Sequence, residues 1–170
     1  VGAEIYDYVL DDPEKHFTVF GPPKMSVTDA DYMIGLYTSM LVRDDGELQV
    51  GIGSLGDTTI YSLLQRHQNN DTYKQILKEL RVEEKFGRII QRVGGTKAFD
   101  KGLFGATEMM VDGFMHLYNA GVIKKKVYDN FHLQRLLNEG LIKEDFGDDI
   151  LEILVERKLI GDHVSEEEFN

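Results

Sequence analysis

The chain contains no cysteine, no tryptophan and only three prolines in 170 residues. Without cysteine there is no disulfide framework and no thiolate metal site, which fits a reducing compartment. No apolar run approaches the roughly 18 residues of a membrane span, and no basic-then-apolar leader opens the chain. Positive charge is scarce as well: 19 lysines and arginines stand against 30 aspartates and glutamates, a formal charge of −11. Such a chain repels nucleic acid and anionic membranes unless its basic residues cluster strongly. The one basic run, Lys124-Lys125-Lys126, reads as a solvated helix exit, where lysines suit the negative end of the dipole. The expectation is a cytoplasmic protein that binds neither nucleic acid nor membrane.

What is present is enough apolar sequence, 42% of the residues, to bury one core, and little for two. The chain starts at Val1 and ends at Glu168-Phe169-Asn170 without a closing structural signal, which reads as a piece of a longer protein. Residues 1–27 read as an extended arm, because Gly21-Pro22-Pro23 cannot continue a helix or a central strand. Thr28 or Asp29 then caps a helix with Tyr32, Met33, Leu36, Tyr37, Met40 and Leu41 at helical spacing, and Asp44-Asp45-Gly46 is turn chemistry. Leu48 to Ile52 reads as a strand in a sheet covered on both faces. Asp57 is expected to cap a helix carrying Ile60, Leu63, Leu64 and His67 on one face, and Tyr73, Ile76, Leu77 and Leu80 suggest another. Phe86 to Val93 fits helix or strand, with Gly94-Gly95 ending it either way. A strand at Leu103-Phe104 precedes a helix with Val111, Phe114, Met115 and Tyr118 that stops at Gly121.

Residues 127–170 read as a helical insertion or appendage. There Leu133 to Leu137 is followed by Leu141-Ile142, and Leu151 to Val155 by Leu159-Ile160; Phe114 to Ile123 fits the same grammar loosely. The units are shorter than a solenoid repeat, so a helix stop followed by an apolar pair explains them better. The acidic residues from Glu144 to Glu168 lack the spacing and inner glycine of a calcium loop and read as a solvated face.

Two strand ends carry the chemistry. Gly51-Ile52-Gly53-Ser54-Leu55-Gly56 matches G-x-G-x-x-G between a strand and a helix, so a Rossmann-type NAD-binding domain is a rival reading. That fingerprint needs an acid closing a second strand about 20 residues on, whereas Asp71 follows a polar, helical stretch. Asp57 would also compete with a pyrophosphate for the helix N-terminus. A packing role for the glycines is a further alternative. At the second end Glu108 sits among Gly105, Ala106 and Thr107. Read alone, it is either a partly exposed residue near a helix start or a functional carboxylate.

Thr107-Glu108-Met109 followed by Val111-Asp112-Gly113, together with Gly51-Ile52-Gly53 and Asp57 upstream, resembles the acetyl-CoA hydrolase/transferase family, which includes the butyrate and 4-hydroxybutyrate CoA-transferases. The similarity runs in the family's order from about Asp29 through Ile142. Phe20-Gly21-Pro22-Pro23-Lys24 and Arg43-Asp44-Asp45-Gly46 also match a longer subgroup. The resemblance implies an α/β fold of CoA-transferase type, an open parallel sheet with packed helices over residues 28–126, representing part of the C-terminal half of the parent enzyme. It implies Glu108 as nucleophile and Gly51, Gly53, Ser54 and Thr107 as substrate- and CoA-binding residues. Coenzyme A is then a substrate, not a prosthetic group, and no metal is expected. The implied partners are acyl-CoA, a small carboxylic acid and the remaining half of the parent enzyme, with room for a homo-oligomer. Family members often carry histidine where Ala106 stands and proline where Gly56 stands.

Other polar residues read as structural. His116, eight positions after Glu108, lies about 12 Å along a helix axis, too far to serve it as a base. His67 ends an apolar stripe, while His16, His132 and His163 have no partners at metal-ligand spacing, and Met109 and Met110 suit packing. A reading from a different class remains, a non-catalytic helical domain whose acidic C-terminal helices bind a protein.

Overall fold

Thr28 opens the first helix with a capping box: its Oγ1 accepts the Asp31 amide at 3.2 Å, and the Asp31 carboxylate accepts the Thr28 amide at 2.9 Å. In the computed structural model, which describes residues 7–9, 12–15, 21, 24–144, 147 and 149–161, this helix is α1 (Asp29–Leu41). Strand β1 (Glu47–Gln49) leads to α2 (Ser54–Gln68), α3 (Asn70–Glu79) and α4 (Val82–Val93). Strand β2 (Phe104–Ala106), α5 (Asp112–Asn119), α6 (Phe131–Asn138) and α7 (Ile150–Glu156) complete the order. The described residues thus form a mixed α/β chain of seven α-helices and one two-stranded parallel sheet. Most of the expected arm lies outside the described residues, including Pro22-Pro23 and His16, as do His163 and the acidic end from residue 162; Pro13–Lys15 is a 3-10 turn. No described helix is long and apolar enough to cross a membrane.

The sheet pairs Glu47 with Phe104, Leu48 with Gly105 and Gln49 with Ala106. Parallel pairing needs a crossover, here the three helices α2 to α4. One further parallel bridge joins Leu103 to Ile123. Two details differ from the sequence reading. The first strand is shorter than Leu48 to Ile52, because the chain leaves the ladder at Gly51 to turn into α2 at Ser54. The strand is also not covered on both faces: Glu47 and Gln49 are exposed while Leu48 packs on the core. The alternation Glu-Leu-Gln-Val is that of a half-buried strand.

Phe86 to Val93 resolves as helix. Val82 and Ile90, two turns apart, are buried together, with Glu83 and Glu84 in the first turn and Arg92 in the last, as the dipole favours. One cluster of buried side chains, including Val50, Leu63, Leu103, Phe114 and Leu117, joins the sheet to α2 and α5. A second, including Met40, Tyr73, Leu77 and Ile90, lies under α3 and α4. Helix α2 buries more than its apolar stripe, since Thr58, Thr59, Ser62 and Arg66 are buried too. Small residues there let α1 approach closely: a Cβ on Gly35 would lie 2.5 Å from the Thr58 carbonyl carbon and oxygen. Gly35→Ala is therefore expected to destabilise by about 1–3 kcal/mol despite alanine's better helix propensity. A lower urea midpoint at unchanged slope would report it; a raised midpoint would mean the helices do not meet there.

The repeated grammar has a local cause. Helices α5, α6 and α7 are each followed by a left-handed residue, Gly121 (φ 72°), Gly140 (φ 70°) and Lys158 (φ 57°). In each case the next amide reaches back five residues: Val122 to Leu117, Leu141 to Leu136 and Leu159 to Leu154, at 2.9, 3.0 and 2.9 Å. The left-handed residue itself donates to Tyr118, Leu137 or Val155. These are Schellman closures, whose apolar residue after the stop packs on the last turn.

Candidate functional site

Parallel, in-register pairing brings the C-terminal ends of both strands to one edge of the sheet. Val50 to Gly53 leaves β1 there and Thr107 to Val111 leaves β2. Thr107 ties them: its Oγ1 lies 3.1 Å from the Val50 carbonyl and 2.6 Å from that of Met109, and its single proton serves one of them at a time. Gly51, Gly53, Ser54, Thr107 and Glu108 are thus gathered at one edge. Glu108 is exposed and makes no hydrogen bond or ion pair with described residues.

Both following helices start at this edge. Gly53 is the N-cap of α2 with φ 130°, a conformation that requires glycine. The helix begins at Ser54, so Asp57 is not its cap as expected; it stands in the first turn, exposed, its amide donating to the Gly53 carbonyl at 3.0 Å. The reason is the short exit from β1, which leaves no room for another loop turn before the helix. Val111 precedes α5, and neither N-cap side chain bonds to its helix. Two helix N-termini, each carrying partial positive charge and amides without intrahelical acceptors, therefore start at the sheet edge from which the Glu108 loop leaves. Lys24 pairs with Asp112 at 3.0 Å and holds its carboxyl below the ordinary range. Ser54 lies beside Asp31, whose carboxyl is lowered first by the Thr28 amide and hydroxyl and also by Ser54.

The glycines divide by role. A Cβ on Gly56 would collide with the Gly51 carbonyl, one on Gly105 with the Phe114 ring and one on Gly113 with Ile60, so these three serve close packing. Gly51 has nothing within 4 Å of its would-be Cβ, which leaves open space above the strand end. Asp71 stands in the first turn of α3, in a helix and not at the end of a second strand as a dinucleotide fingerprint needs. Among the described residues no group of three or more histidines, aspartates or glutamates could hold a metal ion. His67 Nδ1 accepts the Phe99 amide at 3.2 Å, a structural role.

The sequence reading missed two residues at the opposite edge. Asp44 is more than a turn residue: its carboxylate accepts the amides of Asp100, Lys101 and Gly102 at 3.0, 3.1 and 2.9 Å, clamping the approach to β2 onto that of β1. Partial burial pushes its pKa up, but these amides outweigh it and hold the carboxyl below the ordinary value. A depressed folded pKa stabilises above the unfolded value, about 3.9, and the contribution disappears as pH falls through the folded one. Asp44→Asn is expected to lose about 1–3 kcal/mol at pH 7, and its deficit against wild type should shrink below about pH 4. Urea unfolding of both proteins from pH 7 down to below about pH 4 checks this; a deficit that stays constant through that acid range would contradict it.

Arg66 is the second, with 1% of its surface exposed. Its Nε donates to the Lys97 carbonyl at 2.7 Å and its Nη1 to those of Ser39 and Val42 at 2.8 and 2.6 Å. The guanidinium also lies 4.2 Å from the centre of the Phe99 ring. Its position one and two turns after the buried Thr59, Ser62 and Leu63 was the available signal. Compared with known proteins, the chain matches no family model, no curated protein and no solved structure.

Proposed function

We propose that this chain supplies the nucleophile of an acyl-CoA:carboxylate CoA-transferase or acetyl-CoA hydrolase, with Glu108 as the attacking carboxylate. The observation that carries the reading is the shared edge: an exposed carboxylate without a partner among the described residues leaves the sheet at the same edge as the open space at Gly51 and two helix starts without side-chain caps. A carboxylate oxygen of Glu108 adds to the thioester carbonyl, the carbon–sulfur bond breaks, and CoA leaves as thiolate, giving a mixed anhydride. The thiolate then attacks the glutamyl carbonyl, releasing the acyl group as a free carboxylate and leaving a glutamyl-CoA thioester. A second carboxylate reverses the sequence, or water ends it as hydrolysis. Dividing one exchange into such steps is the advantage of covalent catalysis. Each addition places negative charge on an oxygen, and the amides at Gly51, Gly53 and Ser54 are the donors assigned to it. Removing one such donor typically costs about 10²- to 10³-fold in rate.

Resemblance of the Thr107-Glu108-Met109 and Gly51-Ile52-Gly53 stretches to the family's motifs also supports this reading, as does a two-stranded parallel sheet consistent with part of a CoA-transferase-type fold. The remaining half of the parent enzyme is the proposed partner. Intact mass of the parent enzyme after exposure to acyl-CoA tests the assignment. An adduct absent from the Glu108→Gln variant supports it, and undiminished labelling of that variant would refute it.

A further inference from the structure

A cleft of about 1020 Å³ lies between α3, α4 and the 94–100 segment. It flanks the approaches to the two strands, the edge opposite Glu108. Arg43, Arg66, Lys74, Lys78, Arg81 and Lys97 line it, in a chain whose formal charge is −11. Four carboxylates share the lining, Asp44, Glu83, Glu84 and Asp100. Asp44 is already saturated by three amides, and Glu84 pairs with Arg81 at 2.5 Å. The side chains of Arg43, Lys74, Lys78 and Lys97, by contrast, make no ion pair or hydrogen bond with any described residue.

Two further features point at a bound anion. Arg66 is almost wholly buried, and its Nη2 is the one guanidinium nitrogen without a hydrogen bond among the described residues; it lies beneath Gly95, 3.3 Å from where a Cβ would stand. Among the described residues no fully buried side-chain nitrogen lacks a partner, and Arg66 is one of the residues that line the cleft. Arg81 occupies a left-handed position (φ 54°) just after α3. Glycine holds such a site with less strain, and arginine there adds a cation to the rim.

We propose that this cleft binds a small molecule through a diphosphate group, held by Lys74, Lys78, Arg81 and Lys97 at the rim and by Arg66 Nη2 at the floor. Lysines at i and i+4 on α3 stand about 5–6 Å apart at Cβ, a span that lets both reach one diphosphate. Arginine and lysine pair with phosphate oxygens by charge-assisted hydrogen bonds. The volume exceeds what a bare diphosphate fills, leaving room for a nucleoside-sized body. The site does not depend on Glu108 chemistry.

Calorimetric titration of the protein with inorganic pyrophosphate and with ADP at low ionic strength tests the proposal. Saturable 1:1 binding is expected, weakened at least tenfold in Lys74→Gln/Lys78→Gln and unchanged in Lys85→Gln and Glu108→Gln. Lys97→Gln alone is expected to weaken binding as well, a check should the double variant unfold. Tighter binding of ADP than of pyrophosphate would identify a nucleotide, and equal binding a free diphosphate. No saturable binding up to about 10 mM, or equal weakening in Lys85→Gln, would overturn the proposal.

Discussion

On the proposed CoA-transferase reading, Glu108→Gln is expected to lower turnover of acyl-CoA at least about 10⁴-fold, as removal of a covalent nucleophile does elsewhere. The amide keeps the size of the side chain and loses the anionic oxygen that must attack the thioester. Because Glu108 is exposed and makes no hydrogen bond or ion pair with described residues, the substitution should leave stability within about 0.5 kcal/mol of wild type. That separation of activity from stability makes the experiment decisive. Glu108→Asp retains the carboxylate but withdraws it by about one bond length, and a misplacement of about 1 Å can cost roughly 10²-fold. Single-turnover rates of the three proteins should therefore fall in the order glutamate, aspartate, glutamine. A glutamine variant with wild-type rates would remove Glu108 from the chemistry, and the shared edge would need another explanation.

Arg66→Met is expected to destabilise the fold by about 3–5 kcal/mol, the range for removing one partner from a buried charge network. Burial lowers the pKa of Arg66, yet arginine remains charged in proteins. Among the described residues its charge is met not by a carboxylate salt bridge but by three carbonyls and an aromatic face. Two of those carbonyls, of Ser39 and Val42, belong to the end of α1, where the helix has no basic residue in its own last turn. Methionine fills much of the volume but leaves those carbonyls without their donor, and each orphaned buried group costs about 1–3 kcal/mol. Lysine is a poor substitute, because it lacks the planar fork that reaches carbonyls on two sides. Equilibrium urea unfolding followed by far-UV circular dichroism measures the loss. A change under about 1 kcal/mol would mean that water replaces the guanidinium there.

What was legible in the chain beforehand follows the range of the interactions. The Thr28 capping box, the turn at Asp44-Asp45-Gly46 and the closures at Gly121 and Gly140 are hydrogen bonds between residues at most five apart, so residue type and spacing announce them. Glycine-ended strands before helices were legible for the same reason. The ambiguity at Phe86 to Val93 was real, since a short apolar run carries both periods; burial of Val82 with Ile90 decided for helix. Position Asp57 misled because a good capping residue says nothing of how soon the strand exit forces the helix to begin.

Local chemistry alone determined the start of α1 at Thr28, the stops at Gly121 and Gly140 and which strand ends are built of glycine, because those preferences are satisfied within one or two turns of the chain. Only the tertiary structure decided that both strand ends lie at one edge, that Arg66 is buried, that Asp44 clamps three amides and that unpaired cations line a cleft opposite Glu108. The partners in these contacts are separated by 24 to 58 residues. No local spacing encodes such a meeting; it comes from how the helices between β1 and β2 pack, which depends on the burial of the whole set of side chains at once.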